Sequence, residues 1–529
     1  MDDVIKQSGQ KFGLNERFML FALSLAAIPT SFVILLEFVT TEQPEVCVYD
    51  RDMTNCDDYN GSPDDVCLLA DKDRWNYNFP LRTIIGTYDL LCTAYWEKCL
   101  PQLLFYLGML PSCLLAGYLS DQFGRKPVLI IFLLLDCLAL ATLLLVRGYL
   151  GYLVARYLTA AFIGYFVISE TLIIEGLKVQ YRNIFLAAIW CSFSLGIVVL
   201  GLQNIIFSRY IDMVACVIIF NLILLLLYLF GIDESLRWLL VKQKKDRAQY
   251  SLNRIAYMNN VTMPKYEEIP VPADEEYSTR DFFVLQKCRT FTLILLQLST
   301  LSFYLLVDFT HTSINSIMSE EYFEEYGFKE SELARAQNYI LSGCVGVVGV
   351  IVTSLMCYLA GRRLTVVLEL LLCVVALVLT ISMPSMPVVL TTCSYAIRTI
   401  SPGLLYLSSL YSLEVHITPL RARAVGLSTA GAAFGGILSS IKSFFIPRPH
   451  GLPDLITTGI ELALVVYVLI WSMKLPETKG RTLPDKIEQM PCTLGITERW
   501  VPCKQHDEKV PLLKGQSTSR SSCSDKIAE

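Results

Sequence analysis

Three ionisable residues, Arg398, Glu170 and Asp136, stand in stretches that are otherwise apolar. A charge at the centre of a membrane helix costs about 2.5–3.5 kcal/mol on insertion scales, so it faces a cavity or a partner. The chemistry open to such groups is recognition of a charged organic solute rather than bond making. Glu170 follows Phe166 by four residues, which puts both on one helix face. A carboxylate beside an aromatic ring suits an organic cation, because the ring face attracts positive charge. Arg398 instead suits a carboxylate-bearing ligand. Trp190, Gln203, Tyr304 and Tyr406 are further lining candidates; the competing role for aromatics in such stretches is packing or interface anchoring. Asp136 is expected to make an internal hydrogen bond or ion pair. Glu37 and Asp308, near the ends of two apolar stretches, read as an acidic vestibule or as solvated helix ends.

Other chemistries lack their residues. The chain has no GxxxxGK[ST] and no HExxH, and its histidines are scattered at His311, His416, His450 and His506. ATP-driven pumping and metal- or histidine-based enzymology are therefore not expected. No cofactor or metal is called for. No basic run with interleaved aromatics points to nucleic acid.

The elements that must position these residues are membrane helices. The 529 residues are 53% apolar and 18% charged, against roughly 25% charged in soluble proteins. About 20 apolar residues cross a hydrocarbon core of about 30 Å. Twelve stretches are expected to do so: 18–39, 99–119, 127–146, 150–174, 184–207, 211–231, 290–312, 337–359, 364–383, 387–411, 424–443 and 455–473. The first is too long for a cleaved signal and has no cleavage site after it. Arg125/Lys126, Lys178/Arg182, Lys242/Lys244/Lys245/Arg247 and Arg362/Arg363 fall on one side, which sets that side and both termini in the cytosol.

The expected organisation is a cytosolic N-terminus (1–17), six spans (18–231), a charged cytosolic linker (232–289), six more spans (290–473) and a disordered cytosolic tail (474–529). The extracellular insertion 41–98 carries 12 Asp/Glu against 5 Lys/Arg. It holds Cys47, Cys56, Cys67 and Cys92, an even set expected to form two disulfides in one of three pairings. Its sequon Asn60-Gly61-Ser62 is an expected glycan site. The halves also repeat. Gly124-Arg125 recurs as Gly361-Arg362, and Glu175/Arg182 recurs as Glu414/Arg421, at offsets of 361 − 124 = 237 and 414 − 175 = 239. Duplicated halves place a solute site between two bundles that rock against each other.

The run Gly117-Tyr118-Leu119-Ser120-Asp121-Gln122-Phe123-Gly124-Arg125-Lys126 resembles the loop signature of the major facilitator superfamily. Asp89-Leu90-Leu91-Cys92 with Trp96, Glu234-Ser235-Leu236-Arg237-Trp238-Leu239, and Leu475-Pro476-Glu477-Thr478-Lys479-Gly480-Arg481 are similar to motifs of its organic cation, anion and zwitterion transporters, solute carrier family 22. The resemblance covers about residues 10–490. It implies an all-α fold of twelve helices in two pseudo-symmetric six-helix bundles and alternating-access transport of a small organic ion. It implies that the fourth span, with Phe166 and Glu170, lines the cavity. It also implies that Asp121, Arg125, Glu175, Arg182, Arg362, Glu414 and Arg421 form cytosolic charge clusters that latch the outward-open state.

The chain departs from that pattern in several places. Leu236 replaces the usual proline, and Tyr358 stands where the second-half loop usually has aspartate, so the latch should be asymmetric. Ala433, before Phe434-Gly435-Gly436, replaces the residue that usually signals substrate charge, and the seventh span reads Phe303-Tyr304-Leu305. Pro402-Gly403 is expected to interrupt the tenth span, and Gly343, Gly346 and Gly349 to allow close packing of the eighth. Acidic residues favour organic cations or zwitterions as solutes. The alternatives are a sugar porter, against which the long cysteine-bearing loop and the solitary Gln297 argue, and a non-transporting receptor or trafficking protein. Glu508-Lys509-Val510-Pro511-Leu512-Leu513 looks like a dileucine signal for a sorting adaptor. The expected location is the plasma membrane, with an endosomal or vesicle membrane as the alternative.

Overall fold

A computed structural model describes residues 13–41, 46–49, 56–58, 67, 75–77, 83–269, 286–311, 332–384, 386–445 and 452–485. The sequon asparagine, Asn60, and the dileucine segment lie outside them. The first half contains α1 (Leu14–Ser24), α2 (Ala27–Thr40), the short α3 (Ile84–Thr87), α4 (Tyr95–Phe123), α5 (Arg125–Leu145), α6 (Tyr149–Ala161), α7 (Tyr165–Glu175), α8 (Arg182–Ile206) and α9 (Tyr210–Gly231). Linker helices α10 (Leu236–Val241) and α11 (Lys245–Asn259) follow. The second half contains α12 (Gln286–His311), α13 (Glu332–Leu359), α14 (Arg362–Ser382), α15 (Pro387–Val415), α16 (Arg421–Phe445) and α17 (Leu452–Ser472). Among the described residues eleven helical stretches are long and apolar enough to cross a membrane, and α12 holds a shorter apolar run, Thr292–Asp308. The twelve expected spans are thus all helical.

The structure corrects three details. The first span is broken at Leu25-Ala26 and the fourth at Phe162–Gly164, so each is a pair of shorter helices. Conversely, α15 runs unbroken through Pro402-Gly403; a proline inside a membrane helix is tolerated when neighbours pack around it, and Gly403 is pressed against Thr353 and Glu369. The 41–98 insertion adds strands to the expected all-α fold: β1 (Val46–Tyr49) pairs antiparallel with β2 (Cys56–Asp58) and β3 (Trp75–Tyr77) in the order β2-β1-β3. Cys67 is bonded to Cys92, and Cys47 is also disulfide-bonded. The Cys67–Cys92 bridge ties the insertion to the approach to α4.

The outer faces of α5, α9 and α14 expose Ile131, Leu138, Ile223, Phe230, Leu372 and Val375. Such a surface suits lipid and not water. The two halves meet along two seams, α4 on α16 and α8 on α13. Small residues make both possible. A Cβ on Gly117 would lie 2.4 Å from the Ala422 carbonyl oxygen, and one on Gly426 2.5 Å from that of Cys113. On the other seam a Cβ on Gly343 would lie 2.8 Å from the Ser194 carbonyl oxygen, and Gly346 abuts the Ser194 side chain. The expected close packing of α13 is present: Gly349 has the Thr399 carbonyl of α15 against it.

Candidate functional site

Both Gly-Arg repeats are built as the same device. Gly124 and Gly361 have φ of +113° and +95°, which an L side chain adopts only with strain. Each turn starts a helix whose first amides need acceptors. Glu234 takes the Arg125 N–H at 2.8 Å and the Lys126 N–H at 3.3 Å. Glu477 takes those of Arg362 and Arg363 at 3.1 and 3.2 Å. A Cβ on either glycine would strike the capping carboxylate, at 2.4 Å from Glu234 and 2.6 Å from Glu477. The motifs after the sixth and twelfth spans are therefore caps for the loops after the second and eighth. Burial pushes the Glu234 carboxyl above the usual range, and the Ser235 N–H and the Arg125 charge and N–H oppose it.

Between these turns a charge cluster joins the halves. Arg125 grips Glu175 with two hydrogen bonds, of 3.1 and 2.9 Å, and pairs with Asp121 at 3.0 Å. Glu175 also receives Arg421 of the other half at 3.2 Å and the Ser235 hydroxyl at 2.5 Å. Asp121 accepts the Arg423 N–H at 3.1 Å and lies 3.6 Å from its guanidinium. Arg125 reaches the Thr418 carbonyl at 3.1 Å. In the second half Glu414 binds Arg362 at 3.3 Å and the Thr478 hydroxyl at 2.5 Å. Arg182 donates to the Arg481 carbonyl at 3.2 Å and lies within electrostatic reach of Glu414. Each acid thus holds the Gly-Arg arginine of its own half, Glu175 with Arg125 and Glu414 with Arg362, and also faces the other half, Glu175 bonded to Arg421 and Glu414 within electrostatic reach of Arg182. Tyr358 is exposed at the position equivalent to Asp121, so the cluster is asymmetric.

Sequence reasoning missed three contributors: Arg423, Asp485 and His416. Arg237 of α10 binds Asp485 at 3.1 Å, and Asp485 in turn accepts the Thr418 hydroxyl at 2.9 Å. Burial lowers Arg237 to about 10, with the Asp485 charge opposing. His416 is buried between α15 and α16, 2.9 Å from the Thr292 hydroxyl and from the Ser412 carbonyl. Desolvation lowers its pKa to about 4.

The candidate lining residues do not form one constellation. Glu170 is fully buried on α7, and neither carboxylate oxygen completes a hydrogen bond. The Trp190 indole of α8 and the Ser409 hydroxyl of α15 face it. Phe166 lies edge-on to Trp190 at 5.7 Å, and Phe193, not singled out above, closes an aromatic cluster at 6.3 Å from Phe166 and 5.3 Å from Trp190. Arg398 is buried on α15 over the Tyr395 ring at 5.3 Å. It precedes Ser409 by eleven residues, about 16 Å along a helix, so it and Glu170 cannot grip one small zwitterion in this state. Tyr406 bonds Asn183 of α8 at 2.5 Å, and Asn183 bonds Ser354 of α13, so Tyr406 serves the seam between halves. Gln203 is half-buried near the far end of α8.

Glu37 and Asp308 do not make an acidic vestibule. Glu37 is paired with Arg156 at 3.0 Å and accepts the Tyr152 hydroxyl at 3.2 Å. Lys442 sits 2.9 Å from Asp308 and 2.8 Å from Glu461, which also accepts the Tyr304 hydroxyl at 2.9 Å. A buried carboxylate needs such a partner; the cations come from helices distant in sequence. Asp136 is bonded to Asn221 at 2.9 Å, the structural role expected of it. Among the described residues no group of His, Cys, Asp and Glu is arranged to hold a metal.

Residues 98–490 match the family described as sugar (and other) transporter. The chain is 26% identical over 441 residues to human solute carrier family 22 member 11, covering 79% of this chain and 75% of that protein. It is 27% identical over 434 residues to the organic cation transporter protein of Drosophila melanogaster (80% and 76%), and 27% over 433 residues to organic anion transporter 3 of Oryctolagus cuniculus (79% and 76%). The fold is similar to that of the proton:xylose symporter XylE of E. coli, with TM-score 0.61 at 15% identity over 88% of this chain and 97% of that one.

Proposed function

Because the chain belongs to the sugar (and other) transporter family, a family of membrane transporters, we propose that it moves small organic cations or zwitterions by alternating access. One observation carries the mechanism: the charge cluster around Glu175, Arg125 and Arg421 clamps the two halves at the end bearing both Gly-Arg turns. That end is the cytosolic one on this reading, since the basic loops gather there, and the clamped state has its cytosolic side shut. Parting the halves there exchanges buried ion pairs for hydrated charges, a balance close enough to zero for thermal rocking. Relatives named for organic cations and for organic anions match at the same level, so solute charge rests on Glu170 and its aromatic neighbours. The plasma membrane, with both termini cytosolic, is the location this reading favours.

The test is an untargeted metabolite uptake screen in cells expressing the protein, followed by Glu170→Ala and Arg398→Ala at matched surface abundance. Accumulation of an amine or betaine-like solute that falls with Glu170→Ala is expected. Enrichment of neutral sugars alone, or of nothing, would refute the reading.

A further inference from the structure

Among the described residues, Glu170 is the buried carboxylate whose two oxygens both lack a hydrogen-bond partner. Its surroundings supply no counter-charge. From α4 the titratable group that interacts with it is the Cys113 thiol. From α8 and α15 it meets the Trp190 indole and the Ser409 hydroxyl. The charges on the elements packed around α7 are committed elsewhere. Asp136 of α5 is bonded to Asn221 and Arg125 to Glu175, Arg182 of α8 faces Glu414, Arg421 and Arg423 of α16 pair with Glu175 and Asp121, and Glu16 of α1 is bonded to Asn259. On α15, Glu414 holds Arg362, and Arg398 stands about 16 Å away along the helix. An isolated carboxylate cannot be sealed from water as an anion without a cost of several kcal/mol. Sealing here also needs both halves, because α7 and α15 belong to opposite bundles. Glu170 lies five residues from Glu175, about 7 Å along α7, so parting the charge cluster wets it.

We propose that Glu170 takes either a proton or the ammonium group of the solute, never both, and that the protein is thereby an obligatory proton/organic-cation exchanger. This rests on the transport reading above and adds its coupling ion. Facing outward, the Glu170 carboxyl gives its proton to external water as an ammonium group replaces it. Facing the cytosol, the ammonium leaves and a proton from cytosolic water returns to the same carboxyl. An empty, ionised Glu170 cannot be occluded, so the unloaded carrier does not cross. One charge moves each way, so the exchange is electroneutral. An interior one pH unit more acidic therefore sustains about tenfold accumulation of the cation.

Two measurements on the purified full-length protein test this. Infrared difference spectra of wild type minus Glu170→Gln report whether a neutral carboxylic acid carbonyl disappears with the substitution; Glu170→Asp should retain such a band. In proteoliposomes, uptake of radiolabelled tetraethylammonium is followed with and without an acidic interior, with an internal pH dye reading proton exit. Loss of the acid band in Glu170→Gln, with uptake driven about tenfold above the external concentration and proton exit matching it, is the expected result. Absence of the acid band overturns the proposal whatever transport does. An acid band with uptake indifferent to the gradient overturns the coupling and leaves the transport reading standing. An acid band with no tetraethylammonium uptake removes the cation reading and the exchange with it.

Discussion

Replacing Glu175 by Gln should open the end of the molecule that carries the Gly-Arg turns. The substitution keeps the shape and removes one charge from a fully buried site. Arg125 keeps Asp121 at 3.0 Å, so its loss is partial and is similar whether the halves are together or apart. Arg421 loses its partner from the opposite half and is left with neutral acceptors, the Leu413 and His416 carbonyls at 3.0 and 3.2 Å and the Thr418 hydroxyl at 3.1 Å, and with the more distant charge of Asp485. Removing one member of a buried pair costs about 3–5 kcal/mol, and Arg421 avoids that cost by hydration once the halves part. Taking about 3 kcal/mol as the difference between the two states, the closed-to-open ratio falls roughly 150-fold. The readout is maleimide labelling of Cys113, which is buried beside the α4–α16 seam, in protein whose other free cysteines are replaced. Labelling should accelerate strongly, whereas Arg209→Ala, which removes the exposed pair with Asp212, should leave it unchanged. An unaltered labelling rate in well-folded Glu175→Gln would refute the idea that this cluster holds the halves together.

Three further outcomes follow from the geometry. Gly124→Ala and Gly361→Ala each force an L side chain into positive φ and against a capping carboxylate; a loss of about 1–3 kcal/mol is expected, seen as a lower melting temperature in detergent. Glu37→Gln should destabilise by about 3–5 kcal/mol because Arg156 is left buried and unmatched, and Glu37→Gln with Arg156→Gln should recover much of the loss in the same melting assay. His416 has a folded pKa of about 4 against 6.5 when unfolded. The unfolded chain therefore binds the extra proton between those values, and the stability that neutral His416 contributes is complete above 6.5 and is lost as pH falls toward 4. The melting-temperature drop on acidification should be smaller in His416→Gln, by an amount corresponding to at most roughly 3 kcal/mol.

The amino-acid order carried more of the scaffold than of the site. Hydropathy located every span because the transfer cost of a helix depends on its own residues alone. The Gly-Arg repeats marked the turns because positive φ demands glycine locally. The breaks in the first and fourth spans fall beside Pro29 and Gly164, residue types too common in membrane helices to single out, and Pro402 gave a false mark: whether a proline interrupts a membrane helix depends on what packs around it, here Gly346 beside the ring and Thr353 and Glu369 against Gly403. In the insertion, β-strands of three or four residues between cysteines are too short to read from alternation.

Sequence alone therefore settled that this protein crosses a bilayer in two similar sets of helices and carries ionisable groups inside them. Only the tertiary structure decided which of those groups are neutralised. Glu37 finds Arg156, Asp308 finds Lys442, and Glu175 finds Arg421 in the opposite half. These partners are separated by up to 246 residues, and their meeting is fixed by helix rotation and crossing, which no local pattern encodes. Glu170 is distinguished from the other carboxylates by the same logic: its side chain is ordinary in sequence, and only the packing of α7, α8 and α15 leaves both of its oxygens sealed without a hydrogen-bond partner, where Asp136 has Asn221 and Glu369 has Thr353.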